Sequence, residues 1–199
     1  MADVPNKLST MSAITANEEK VKELILLLSE MSEGDEYFGA TKLNKLLFFA
    51  DFLAYIRYGK SISGSAYEAQ PAGPMLKNFY NIRNEMIEKQ DIALAELDLG
   101  NFKQKKTLAL RSANIKMFSA EEVSIISHVI SDFRHMTASQ ISALSHEFLG
   151  WQAVDIGEEI PYEIALVSTV DLTKEEWEFP ENITLDLSTI GISQDCIVV

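Results

Sequence analysis

The sequence is poor in the residues that carry covalent cross-links and most enzyme chemistry. It has one cysteine, Cys196, and three histidines among 199 residues. A single cysteine allows no disulfide within the chain, which suits a reducing compartment. No nucleophile elbow, glycine-rich phosphate loop or cysteine–histidine pair is present in the sequence. We therefore expect a cytoplasmic protein that has no catalytic activity and no cofactor.

The sequence also has no apolar run as long as the ~20 residues that a membrane helix needs. The first residues do not combine a charged start with an apolar core, the pattern of a signal peptide. Residues 1–16 have no hydrophobic periodicity, so we expect a flexible N-terminus. No membrane partner is predicted.

Basic residues are scarce in the last quarter of the chain. The net charge is −13, and from Trp151 onward eleven acidic residues face a single basic one, Lys174. That segment carries −10 and leaves −3 for residues 1–150. The acidity either keeps the protein soluble or forms a surface for a basic partner. Because phosphates repel an acidic chain, general nucleic-acid binding is disfavoured.

The strongest positive signal is a long apolar helix from Lys42 to Tyr58. Its apolar positions recur every three or four residues, and three phenylalanines cover much of the remaining circumference. A helix that is apolar nearly all round is buried, so we predict that it is the central core helix and ends at Gly59. Three charges interrupt it and are expected at its rim, solvated or paired: Lys42, Lys45 and Asp51.

Caps and periodicity predict four further helices, which begin at Asn17, Pro74, Ser119 and Thr137. The Pro74 helix is expected to continue to about Gln90. A β-hairpin is predicted from residues 92–97 and 105–111, with short strands at 36–38 and 65–68 and an extended segment at 158–169. The predicted fold is therefore α+β and mainly helical, with about five helices around a buried central helix and a small antiparallel sheet.

The order of elements in the N-terminal half resembles a winged helix, with the hairpin as the wing. Five basic residues lie on or near that hairpin: Lys103, Lys105, Lys106, Arg111 and Lys116. They are compatible with DNA binding or with a solvated hairpin that has positive side chains. A recognition helix should also be basic, but Glu85 and Glu88 offset the positive charges of the Pro74 helix.

Two segments resemble a known family. KLNKLLFFAD at 42–51, a glycine-containing turn and SAYEAQPAGP at 65–74 are similar to the signature of the SocA-like antitoxin domain, also called the Panacea domain, which is related to phage-associated GepA-type proteins. TASQISAL at 137–144 and the downstream Ile160-Pro161-Tyr162 extend the resemblance, which covers about residues 20–162. The positions that match the motifs are Lys42, Leu43, Lys45, Leu46, Asp51, Tyr67, Gly73, Pro74, His146 and Trp151.

The resemblance implies a bacterial antitoxin that binds a cognate protein toxin and neutralises it by direct contact. It also implies an alternative, an adaptor that delivers the toxin to a protease. The winged-helix-like order of elements adds another, a regulator that binds promoter DNA. We divide the chain into the flexible residues 1–16, the antitoxin domain at 17–170 and an acidic C-terminal extension at 171–199.

The extension contains the candidate partner-binding residues. Its apolar side chains lie among acidic ones, so they could anchor a toxin or, alternatively, complete the domain core: Trp177, Phe179, Ile183, Leu185 and Leu187.

The three histidines carry two weaker hypotheses. His128, Asp132 and His135 have the i, i+4, i+7 spacing of a metal site, but no fourth ligand is evident, and we predict no metal. His146 is expected to form a hydrogen bond in the core and to order the loop to Trp151, or to act as a pH switch.

Overall fold

The computed structural model describes residues 17–98 and 103–167. The helices in these ranges are α1 (Glu18–Met31), α2 (Ala40–Tyr58), α3 (Phe79–Glu88), α4 (Ala120–Phe133), α5 (Ala138–Glu147) and α6 (Leu149–Gln152), with 3-10 turns at Ile115–Met117 and Tyr162–Leu166. The strands are β1 (Tyr67–Glu68), β2 (Met75–Leu76), β3 (Ile92–Asp98) and β4 (Lys103–Ala109). The predicted mainly helical α+β fold is confirmed.

Helix α2 is the centre of the fold, as its composition predicted. It packs against α1, α4, α5, β2, β4 and the 3-10 turn at Tyr162–Leu166. Its phenylalanines form a shared aromatic cluster: Phe48 packs edge-on against Phe148, and Phe52 stacks on Tyr162 with ring centroids 4.5 Å apart. Gly59 ends the helix in the left-handed conformation, with φ of +67°.

The predicted hairpin is confirmed with slightly shifted ends. Strands β3 and β4 pair antiparallel from Ile92 opposite Ala109 to Asp98 opposite Lys103. Strand β4 lies against α1. The capping boxes are also confirmed: Ser119 with Glu122 opens α4, and Thr137 with Gln140 opens α5.

The prediction that one helix runs from Pro74 to Gln90 was wrong. Met75–Leu76 forms β2, which pairs with β1 in the register Tyr67 opposite Leu76, and α3 begins only at Phe79. Asn78 separates the two elements with φ of +60°. Pairing with β1 satisfies backbone groups that a helix would otherwise use, so a tertiary contact overrides the local apolar periodicity.

Two other predicted strands differ from the structure. Residues 36–38 form a turn, closed by a hydrogen bond from Phe38 N to Asp35 O and one from Tyr37 N to an Asp35 carboxylate oxygen. Residues 158–167 make a single bridge, Glu159 opposite Glu68, before the 3-10 turn. The hydrogen bonds by which Asp35 closes the 36–38 turn could not be read from the hydrophobic pattern.

None of the helices in residues 17–98 and 103–167 has the length and apolarity needed to cross a bilayer.

Candidate functional site

The charged residues of α2 are buried, so the prediction that they lie at the rim was wrong. Lys42 and Asp51 have 0% of their surface exposed, and Lys45 has 2%. Because α2 is covered on several sides, these side chains are almost entirely shielded from solvent. Each instead contacts a different segment of the chain.

Lys42 is paired and fully bonded. Its Nζ lies 2.7 Å from a carboxylate oxygen of Asp35 and donates to the carbonyl oxygens of Arg134 at 3.0 Å and Met136 at 2.8 Å. Burial lowers the pKa of Lys42, and the hydrogen bond and charge of Asp35 oppose that shift. The ammonium joins α2 to the 35–38 turn and to the corner between α4 and α5, which is a structural role.

Asp51 organises the loop between α2 and β1. Its carboxylate accepts hydrogen bonds from the Ser63 amide at 2.7 Å, from the Ser63 hydroxyl and from the Tyr67 hydroxyl at 2.7 Å. Burial raises the pKa of Asp51, and the hydrogen bonds partly offset that effect. Tyr162 binds the same loop through Ser65 O at 2.6 Å. This arrangement leaves no room for a ligand and fixes the backbone.

Lys45 differs from the other two because it has no acidic partner among the described residues. Its Nζ donates to Pro74 O at 2.7 Å, and burial lowers its pKa to about 7. Gly73 lies directly beside it: a Cβ there would be 2.9 Å from Cε and 3.0 Å from Nζ of Lys45, and 2.2 Å from the Ser145 hydroxyl. Gly73 has φ of +89°, so this turn requires glycine for both its conformation and its space.

Helices α5 and α6 hold the same turn from the other side. Trp151 Nε1 donates to Gln70 O at 3.2 Å, and the Ser142 hydroxyl donates to Ala72 O at 2.5 Å. His146 stacks on Trp151 with ring centroids 4.1 Å apart. Burial, followed by the charge of Lys45, lowers the pKa of His146. Residues 70–74 are therefore a rigid segment fastened by three helices.

An open pocket of about 120 Å³ lies beside Lys45. The first turn of α2, the 70–75 segment and the start of α3 enclose it. Its lining includes Ala40, Thr41, Lys45, Gly73, Phe79 and Tyr80. Lys45 is the only charged residue among those that line it. We call this the Lys45 pocket.

Residues 43–152 match the family model described as Antitoxin SocA-like, Panacea domain. The match covers more than half of the chain and runs from the first turn of α2 to the end of α6. The chain belongs to the SocA-like Panacea family. No curated protein and no solved structure matches the chain. The family suggests a role in a toxin–antitoxin system.

The matched range contains every position that the sequence motifs singled out except Lys42, which lies one residue before it. Leu43 and Leu46 lie in the hydrophobic core, Lys45 and Gly73 line the pocket, and Pro74 O accepts the hydrogen bond of Lys45. The candidate partner-binding residues lie outside the described residues and stay a prediction: Trp177, Phe179, Ile183, Leu185 and Leu187.

Three of the five basic residues on or near the hairpin contact other described residues. Lys103 pairs with Glu96 at 2.6 Å, and Lys106 donates to Glu33 O at 2.6 Å. Arg111 pairs with Glu23 at 2.7 Å and Asp91 at 2.5 Å.

These pairs leave less positive charge for phosphates than the sequence alone suggested. The arrangement favours the solvated hairpin over a DNA-binding wing.

His128 and Asp132 lie on α4, whereas His135 follows the end of that helix, so the three do not share one helical face. His128 Nδ1 lies 2.7 Å from Ser124 O within α4. In residues 17–98 and 103–167, no group of three histidine, cysteine, aspartate or glutamate side chains is placed to hold a metal ion.

Sequence reasoning missed Thr41, Ser142 and Ser145, which come together around the 70–74 turn only in the folded chain. The usable signal was Lys45 itself, a lysine inside an otherwise apolar helix.

Proposed function

We propose that this protein is the antitoxin of a toxin–antitoxin pair and that it neutralises its toxin by direct protein–protein contact. The observation that carries the proposal is the match of residues 43–152 to the Panacea antitoxin family. In the proposed mechanism, the antitoxin covers the surface by which the toxin acts, and no catalytic step is required. The proposed partner is a protein toxin, because the matched family is described as an antitoxin family.

In this proposal the Panacea domain is a scaffold that family members share. The acidic segment after Trp151 provides the contacts that are specific to the toxin of this chain. That segment has eleven acidic residues and one basic residue, so it favours a basic partner surface. Trp177 and Phe179 are the proposed aromatic anchors within it. Buried aromatic residues typically carry much of the energy of an interface, while charges at the rim steer association.

The test is co-expression with the adjacent open reading frame. We expect the neighbouring product to stop growth when expressed alone, and to be bound and neutralised when this chain is present. A neighbour that is harmless, or that does not bind in a pull-down, would overturn the proposal. A premature stop codon early in this chain's gene is the control for effects of the plasmid.

Toxin abundance in the rescued cells separates direct neutralisation from delivery to a protease. Direct contact leaves the toxin present at full level and inactive in a stable complex. Disappearance of the toxin protein during rescue would instead identify this chain as a proteolytic adaptor. A gel-shift assay with the promoter fragment at low salt addresses DNA-binding autoregulation, which the engaged charges of the hairpin disfavour.

A further inference from the structure

The N-terminus of α2 is an uncapped positive end that opens into the Lys45 pocket. Gly39 precedes the helix and offers no side-chain cap, and the first turn contains no acidic residue. The first N–H groups of a helix have no acceptor within it and carry partial positive charge. Ala40 and Thr41, in this first turn, line the pocket.

Lys45 is a second, independent observation at the same place. It lies one turn further along α2, is 2% exposed and lines the same pocket. Its ammonium has three N–H donors, and the described residues provide one hydrogen-bond acceptor, Pro74 O. A buried cation normally has a carboxylate partner, as Lys42 has in Asp35. Lys45 therefore has two donors beyond the one that bonds Pro74 O, and its side chain lines the pocket.

The size and walls of the pocket limit what can enter. A volume of about 120 Å³ accepts one side chain rather than a cofactor. Ala72, Met75 and Phe79 give it apolar walls, which suit the methylene groups of an acidic residue. One lysine and the N–H groups of one helix end supply donors for a carboxylate.

The edge of the pocket resembles the exposed anchors of protein interfaces. Tyr80 lines it and is 55% exposed, and the Arg83 guanidinium lies 5.0 Å from the centre of the Tyr80 ring. Tyrosine and arginine are enriched among the residues that dominate binding energy. The pocket thus has an aromatic edge around a cationic interior.

We propose that the Lys45 pocket binds the carboxylate of an acidic side chain of the protein partner, with the Lys45 ammonium as counter-charge and the first N–H groups of α2 as donors. The identity of the partner as a toxin rests on the proposed function. The pocket gives the domain itself a contact with the toxin, separate from the acidic C-terminal extension.

The first experiment places a carboxylate in the pocket from within the chain. Thr41 and Lys45 are four residues apart on one helix face, so Thr41→Glu can reach Lys45. Thr41→Gln has nearly the same size and no charge. We expect the unfolding equilibrium constant of Thr41→Glu, measured by urea denaturation, to be more than tenfold smaller than that of Thr41→Gln.

Most of this gain should be lost when Lys45→Met is added, because only the contribution of the helix end then remains. Exposed pairs at this spacing give only about twofold. Absence of the gain would show that the pocket does not accept a carboxylate against Lys45, and would overturn the proposal with no partner present.

The second experiment measures affinity for the product of the adjacent gene. Thr41→Glu fills the pocket, so we expect its dissociation constant to be about 30-fold or more above that of Thr41→Gln. Lys45→Met should lose affinity similarly. Lys60→Met removes the same charge from an exposed site at the other end of α2 and should bind as the wild type does.

The experiments can refute the proposed function and the pocket proposal independently of each other. If the wild-type chain does not bind the neighbour, the proposed function falls, and the urea experiment alone decides whether the pocket takes a carboxylate. If the wild type binds and the folded Thr41→Glu and Lys45→Met variants bind equally well, the antitoxin role stands and the pocket is not the contact.

Discussion

At the scale of single residues, Lys45 shows how burial without a carboxylate partner affects stability. Its pKa lies near 7 instead of the ordinary 10.5 because the folded chain removes its ammonium from water. Below pH 7 the native and unfolded states both carry the charge, so the full cost of burying it is present. Above pH 7 the native lysine loses its proton while the unfolded one keeps it, and the cost is relieved.

We therefore predict that the free energy of unfolding of the wild type rises relative to Lys45→Met between pH 7 and about 10. The slope should approach about 1.4 kcal/mol per pH unit, because unfolding takes up one proton in this window. Below pH 7 the Lys45→Met variant should be the more stable protein. Urea unfolding of both variants across this range measures the difference, and a difference independent of pH would contradict the assignment.

Asp51 represents the opposite case, a buried charge whose lone pairs are satisfied. Asp51→Ala removes the acceptor of three donors at once, so we predict a loss of roughly 4 kcal/mol or more in the free energy of unfolding. Tyr67→Phe removes one of these donors and should cost about 1.5 to 3 kcal/mol. Urea denaturation measures both. Equal losses would mean that the carboxylate does not organise the loop.

At the scale of elements, the 70–74 turn is the junction between α2, α5 and α6. Gly73→Ala would place a Cβ 2.2 Å from the Ser145 hydroxyl, in addition to the strain of its left-handed backbone. Gly59→Ala has comparable strain and meets no atom within 4 Å. We predict a loss of about 1 kcal/mol for Gly59→Ala and at least about 3 kcal/mol for Gly73→Ala.

Thermal unfolding of the two glycine variants provides this comparison, with Gly59→Ala as the control for backbone strain. If both variants lose the same stability, the packing of Lys45 and Ser145 around Gly73 is looser than the distances indicate.

At the scale of the whole molecule, the buried core among the described residues runs from Val21 to Ala165. We therefore predict that deletion of residues 173–199 leaves the free energy of unfolding within about 1 kcal/mol of the full chain. Neutralisation of the toxin should be lost, because the deletion removes Trp177 and Phe179. Urea unfolding and the growth assay measure the two effects.

A full-length variant with Trp177→Ala and Phe179→Ala is the matched control, since it keeps the acidic charge of the extension. A truncated chain that folds and still neutralises the toxin would show that the extension is not the partner-specific contact. A truncated chain that fails to fold would show instead that these apolar residues complete the core.

The sequence by itself determined the central helix, the caps at Asn17, Ser119 and Thr137, and the β3–β4 hairpin. These features depend on neighbours a few residues apart, whose spacing is visible in the chain. The mainly helical class followed from the same local signals, whereas the antitoxin family was implied by the resemblance of residues 42–51 and 65–74 to its signature.

Only the tertiary structure decided the β1–β2 pair and the positions of the three charges on α2. The periodicity around Pro74 could not reveal that Met75 and Leu76 pair with β1, eight residues away along the chain. Lys45 is buried and not exposed because α5 and α6, about a hundred residues further along the chain, hold the 70–74 turn against it. Burial of a charge is a property of the assembled fold, because a helix alone does not specify what covers it.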